Sequence, residues 1–205
     1  ALGVAYNADL VSIRAVEDVI ISSGNEKRGV RDALKYAGNR GDIDIVSMSI
    51  GTPFYSSTVA DGVNYAYNRG VLIFSAAGTS LTWTSWYGVI FPATLSRTVA
   101  VTGVKEGTSL QRCATCHDGS AVDFVTTMER SSNSNRNSLG LAMYSDQPSY
   151  IGGSSVATAT TAGIAALAWA DNPGESRSQI LQRLKNASQF YPSRSGSFGW
   201  GRIDA

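Results

Sequence analysis

The chain has 205 residues, 43% of them hydrophobic, with 17 Lys and Arg against 16 Asp and Glu. That is enough for one domain with a sizeable core and for no more than one. Near-cancelled charge gives no electrostatic case for nucleic acid or an anionic membrane as partner, and no apolar run reaches the length of a transmembrane helix. The opening Ala-Leu-Gly-Val-Ala-Tyr lacks the basic and apolar regions of a signal peptide, so any targeting segment is expected to have been removed or never included.

In chain order, residues 8–16 alternate, with β-branched members, in a way that predicts a strand. Ser22-Ser23-Gly24-Asn25 reads as loop. Val30, Ala33, Leu34 and Ala37 then recur at helical spacing until Gly38 and Gly41, which are expected to stop the helix. Residues 43–51, bounded by Gly and Pro53, predict a buried central strand. Val59, Val63 and Ala66 mark one face of a second helix that ends at Asn68-Arg69-Gly70, and residues 71–78 supply another buried strand. Strand, helix and strand in alternation imply parallel pairing with right-handed crossovers, hence a doubly wound α/β sheet. Residues 98–104 and 121–125 read as further strands. The segment 80–90, with Trp83, Trp86 and Tyr87, reads either as cover for the core or as the wall of a ligand cleft. Between residues 126 and 140, the polar run 131–138 reads as flexible loop. After Pro173-Gly174, the residues Ile180, Leu181, Leu184 and Ala187 mark one amphipathic helix.

Cys113-Ala-Thr-Cys116-His117 matches the haem-attachment pattern C-x-x-C-H letter for letter. Haem needs an apolar pocket and usually a second axial ligand, whereas Gln111, Arg112, Asp118, Gly119 and Ser120 read as a polar surface loop. A local disulfide between Cys113 and Cys116 in an exported protein is the preferred reading. Zinc is a poorer fit, because His117 is the one histidine of the chain.

One stretch organises the rest: Gly152-Gly153-Ser154-Ser155-Val156-Ala157, running on through Thr158, Ala159, Thr160 and Thr161 to Ala162-Gly163. Two glycines permit a sharp turn, and small residues then let a helix pack closely. A serine hydroxyl at that helix start lies beside free backbone N–H groups and the positive end of the dipole, where developing negative charge is stabilised. Read alone, Ser154 or Ser155 is equally a helix cap.

The stretch resembles the nucleophile motif of the subtilisin-like serine peptidases, Gly-Thr-Ser-x-Ala-x-Pro followed by an apolar helix with Ala-Gly. The match makes Ser155 the nucleophile, with Ser154 in place of threonine and Ala159 in place of proline. Further segments match in order. Gly3 to Leu10 is similar to Gly-Val-Ala-Pro-x-Ala-x-Leu, and Val46 to Gly51 to the Val-Ile-Asn-Met-Ser-Leu-Gly strand. Ala76-Ala77-Gly78-Thr79 is similar to Ala-Ala-Gly-Asn, Phe91-Pro92-Ala93-Thr94 to the Tyr-Pro-Ala segment, and residues 198–204 to the terminal Tyr-Gly-x-Gly-x-Ile/Leu-Asx.

The resemblance implies an endopeptidase acting on peptide or protein substrates outside the cell through an acyl-enzyme on Ser155. Ser49, Ile50, Gly51, Ala76, Ala77 and Gly78 would bind the extended peptide, although Met48 and Ile50 read equally as core. Thr79 would take the place of the oxyanion-binding asparagine, its hydroxyl offering one donor of shorter reach. Ile90, where the family often has glycine at the pocket base, implies a shallow pocket for small side chains. Calcium is common in the family, and only a weak carbonyl site near Ala93, Leu95 and Thr98 carries over.

The family draws its base from a His-Gly-Thr helix and its orienting acid from an Asp-x-Gly strand end, both upstream of the first residue here. The expected fold is therefore subtilisin-like but without its N-terminal Asp strand and His helix, residues 1–205 forming a single partial catalytic domain. Its complement is expected on a separate polypeptide or on residues removed from this one. His117 could serve as a relocated base only within hydrogen-bond reach of the Ser155 hydroxyl. Serine without a base is a weak nucleophile. The alternative is an inactive pseudopeptidase that binds a peptide or protein partner, a reading that the threonine at position 79 favours.

Overall fold

The computed structural model describes residues 3–79, 87–130, 136, 138–141 and 148–204, and the statements below concern those residues. Helix α1 (Gly24–Arg40) opens on a capping box in which Ser23 accepts from the Glu26 N–H. Glu26 in turn accepts from the Ser23 and Ser22 N–H groups, which lowers its carboxyl pKa to about 2. The cap thus turns Gly24 and Asn25, read from sequence as loop, into the first turn of the helix. Gly38 does not stop α1. It lies inside the last turns because α2 (Ser57–Asn68) passes so close that a Cβ there would sit 3.2 Å from the Ala66 Cα. Gly41, left-handed at φ 73°, ends the helix instead.

Four strands, β1 (Ile45–Met48), β2 (Leu72–Ala76), β3 (Val99–Lys105) and β4 (Phe124–Glu129), form one sheet in the order β1-β2-β3-β4 with every pair parallel. All five residues of β2 are buried, as expected for a strand covered on both faces. Its alternation divides the interior. Ile73 packs with Val30, Leu34, Val59 and Val63 of α1 and α2, whereas Leu72 and Phe74 pack with Ala157, Ala165, Ile180 and Leu184 of α3 (Ser154–Asp171) and α4 (Arg177–Asn186). Helices on both faces of a parallel sheet make the fold doubly wound. Helix α3, built mostly of small and apolar residues, is central: it packs against all four strands, and α4 packs against it.

Three expectations shift. Residues 8–16 join no ladder among the described residues, and Leu10 is 94% exposed, because none of the described strands offers its backbone for them to pair with. The fourth strand begins at Phe124 and runs on to Glu129, its start set by the register Val101↔Phe124. Ser138, the last residue of the expected loop, instead opens β5 (Ser138–Leu141), which pairs antiparallel with β6 (Pro148–Ile151), and β6 leads directly into α3. Trp83 and Trp86 lie outside the described residues, as do 131–135 and Asn137 of the polar run. Among the described residues, no helix is long and apolar enough to cross a membrane.

Candidate active site

The carboxyl ends of β1 and β2 meet the first turn of α3. The cap residue Gly153 has φ 88°, and a Cβ there would meet Thr79 Oγ1 at 3.1 Å, so a side chain would be both strained and crowded. From β1, Ser49 Oγ donates to the Ser155 carbonyl at 3.0 Å. From the end of β2, the Gly78 N–H donates to Ser154 Oγ at 3.2 Å, and Thr79 Oγ1 accepts the Ser154 N–H at 2.9 Å. Both adjacent serines are therefore placed, but differently. Ser154 is 1% exposed and fully engaged, while Ser155 is half-buried and its Oγ has no hydrogen-bond partner among the described residues. Neither hydroxyl caps the helix. The N–H groups of Ser155 and Val156 likewise have no partner among the described residues, as expected in the first turn of a helix, and they point positive dipole at the space in front of Ser155.

The Thr79 and Ser154 hydroxyls lie 2.7 Å apart, so one donates to the other. Thr79 Oγ1 already accepts the Ser154 N–H and Ser154 Oγ already accepts the Gly78 N–H. Among the described residues, the buried Ser154 proton has no acceptor except Thr79, whereas Thr79 is exposed. Satisfaction of the buried group therefore assigns the shared proton to Ser154 and leaves the Thr79 O–H free to turn outward.

The remaining expected residues lie around this centre with much of their backbone engaged. Ala76 and Ala77 are 4% and 0% exposed. The Ala77 N–H donates to the Val101 carbonyl and its own carbonyl accepts the Ile90 N–H, while the Gly78 carbonyl accepts the His117 N–H. The Gly51 N–H donates to the Val19 carbonyl at 3.0 Å and its carbonyl accepts the Ile21 N–H at 2.9 Å, so a short stretch of this same chain pairs with it. Ile50 is half-buried and packs on the α1–α2 core, and Met48 is 6% exposed. Ile90 lies across Gly51: a Cβ at Gly51 would be 2.5 Å from the Ile90 Cδ1.

Among the described residues, no hydrogen bond joins His117 to Ser155. Its Nδ1 is 2.7 Å from the Gly88 carbonyl, and burial pushes its pKa below the ordinary histidine range. The polar neighbours do lie at or near the surface, Gln111 and Ser120 exposed and Arg112, Asp118 and Gly119 half-buried, but the motif between them points inward. Cys113 and Cys116 are each 0% exposed and bonded to each other, and His117 is 4% exposed. The loop folds inward because Cys116 pairs antiparallel with Thr79 while its Sγ packs over Gly103, where a Cβ would be only 2.7 Å away. With both thiols in the disulfide, neither can carry a haem thioether. Sequence reading missed this contact because nothing in the local pattern places residue 116 beside residue 79.

At the carbonyl site suggested for calcium, the Leu95 oxygen accepts the Thr98 N–H, and the Thr98 hydroxyl has both the Pro92 and the Leu95 oxygens within reach as acceptors. No group of three or more His, Cys, Asp or Glu side chains suited to a metal occurs among the described residues.

Residues 1–201 match the model of the subtilase family, peptidase S8. The alkaline protease of Alkalihalobacillus alcalophilus is 29% identical over 208 residues, covering 100% of this chain and 49% of that protein. Subtilisin Savinase of Lederbergia lenta is 28% identical, with 100% of this chain and 69% of the relative covered. Among solved structures, a protease from a Pseudoalteromonas arctica strain superposes with a TM-score of 0.76 at 24% identity, over 98% of this chain and 62% of its own. The chain thus spans about half the length of the first of these relatives and about two thirds of the other two. With the family model matching nearly every residue and the subtilisin-like sheet beneath it, the chain belongs to the subtilase family of peptidases.

Proposed function

We propose that this chain carries the nucleophile and oxyanion half of an extracellular serine endopeptidase, with Ser155 as nucleophile. The observation that carries the reading is the contrast between the two serines: Ser154 is buried and locked, while Ser155 presents, among the described residues, an unengaged hydroxyl at the N-terminus of α3 beside its own unpartnered N–H. Attack of Ser155 Oγ on a peptide carbonyl would place the oxyanion near the Ser155 N–H and the outward Thr79 O–H, where preorganised donors lower the barrier. The base and its orienting acid would come from an N-terminal part that is not in this chain, and the proton leaves Ser155 through that base. The edge of β1 supports this reading, since among the described strands β1 pairs only with β2 and leaves its other side open for a further strand.

An extended peptide would add to the backbone at Ser49, Ile50 and Gly51, taking over the bonds that Val19 and Ile21 now make to Gly51. Ile90 over Gly51 favours small side chains next to the cleaved bond. The buried disulfide supports an oxidising, exported setting. Labelling with a fluorophosphonate tests the reading: the assembled protein should be labelled at Ser155, and Ser155→Ala should abolish the label. A folded, assembled protein that takes no label would favour instead a pseudopeptidase that binds peptide without cutting it. The sharing of the Thr79 oxygen with Ser154 is the observation on that side.

A further inference from the structure

We propose that His117, carried on the Cys113–Cys116 knuckle, is a positioning residue for the oxyanion site, its imidazole wedged against Gly78 and tying that residue to the pocket wall. The inference rests on the peptidase reading above and assigns a role to residues which that reading leaves idle.

The ring sits directly against the glycine before Thr79. A Cβ on Gly78, which has φ 125°, would lie 2.6 Å from the His117 Nδ1 and 2.9 Å from its Cγ, so imidazole and bare backbone fit one another. Among the described residues, three hydrogen bonds fix His117 in three directions. Its N–H donates to the Gly78 carbonyl at 2.9 Å, its carbonyl accepts the Thr102 hydroxyl of β3, and its Nδ1 lies 2.7 Å from the Gly88 carbonyl. A carbonyl oxygen can only accept, so Nδ1 carries the proton of the neutral ring. Gly88 stands two residues before Ile90, whose N–H is held by Ala77 and whose side chain covers Gly51. One side chain therefore couples the end of β2, which presents Thr79, to the segment that shapes the pocket.

The knuckle beneath is built to hold still. The disulfide closes it, the Cys113 N–H donates to the Gly103 carbonyl at 3.0 Å, and Arg112 donates to the Cys116 carbonyl at 2.7 Å. Glu129, 6% exposed, accepts the Ala114 N–H at 2.9 Å. Burying an imidazole and a carboxylate beside one short loop costs free energy unless each is bonded. Here each is, the imidazole to the Gly88 carbonyl and the carboxylate to the Ala114 N–H, while the His117 N–H holds Gly78. An apolar residue at position 117 would fill the space yet give the Gly88 carbonyl no donor.

The test uses the assembled peptidase with His117→Ala and His117→Asn, the latter because its side-chain amide stands as far from the backbone as Nδ1 and can donate to Gly88. A misplacement of about 1 Å at a reacting site costs about 10²-fold, so the alanine variant should lose about that much kcat with KM changed less than about threefold. The asparagine variant should recover at least about tenfold of the loss. Amide exchange should quicken in the alanine variant at Gly78 and Thr79 and at Gly88 and Val89, and return in the asparagine variant. Should the alanine variant not fold, His117→Leu takes its place and should show the same loss. Wild-type kcat in the donor-less variant, equal damage by Asn and Ala, or unchanged exchange at those four residues would each overturn the proposal. The exchange measurement needs no turnover, so an inert wild type would sink the peptidase reading while still deciding whether His117 holds Gly78.

Discussion

Replacing Thr79 with valine keeps the shape of the side chain and removes one hydroxyl, which isolates the proton assignment between Thr79 and Ser154. If Ser154 donates to Thr79, the lost hydroxyl is the outward donor to the oxyanion. Losing one such donor costs about 10²–10³ in kcat, a magnitude known from subtilisin itself and borrowed for this chain. The same change strips the partner from the Ser154 N–H at 2.9 Å and from its hydroxyl at 2.7 Å. Ser154 is 1% exposed, so neither group regains water. At about 1–3 kcal/mol for each buried group left unmade, the variant should lose about 2–6 kcal/mol of stability. Ser154→Ala should behave differently: it leaves the Thr79 O–H in place, strands only the Gly78 N–H, and should lower kcat by less than about tenfold, well short of a lost donor. Steady-state hydrolysis of a peptide ester and amide pair by the assembled enzyme, with urea denaturation of each variant, reads both numbers. If Thr79→Val keeps kcat within about threefold of wild type while Ser154→Ala raises it, the shared proton belongs to Thr79 and the assignment is wrong.

Ile90→Ala should deepen the pocket over Gly51 and raise kcat/KM for phenylalanine relative to alanine at the cleaved residue by about tenfold or more, each methylene being worth about 1–3 kcal/mol; a peptide library in which the ratio does not move would show that the pocket base lies elsewhere. Gly62→Ala would press a Cβ to within 2.7 Å of the Arg31 Cα and should cost about 1–3 kcal/mol of stability by overpacking the α1–α2 contact, read as a lower urea midpoint at unchanged slope. His117 supplies a pH dependence whose sign is fixed by its depressed pKa. The unfolded chain takes up a proton near the ordinary value of about 6.5 while the folded chain resists, so stability is full above that pH and falls as pH drops below it, by at most about 1.4 kcal/mol per unit. Since the chain has one histidine, His117→Asn should flatten the stability curve between about pH 6.5 and 5, and a slope that survives the substitution would assign it to other groups.

Local pattern was enough to establish the layers. Buried strands read as mostly apolar, β-branched-rich runs at 71–78 and 98–104, helices as residues spaced three and four apart, and the Gly-Gly-Ser-Ser turn as the start of a close-packed helix, because each is a matter of period and size along the chain. A motif singled out Ser155, and the structure leaves its hydroxyl without a hydrogen-bond partner among the described residues. What the sequence left open was every fact that depends on who lies next to whom. Gly38 looked like a helix stop and is a contact surface, since only the approach of Ala66 explains the missing side chain. The cysteine loop looked wet because its neighbours in sequence are polar, yet its neighbours in space are Gly103, Gly78 and Thr79. Residues 8–16 alternate like a strand, but alternation only makes a strand possible; a ladder needs a partner backbone, and none of the described strands supplies one. Which of two adjacent serines is locked and which is presented was settled by the packing of distant segments. Hydrogen bonds to Gly78 and Thr79 set that outcome, from about 75 residues away along the chain and within 3.2 Å in space.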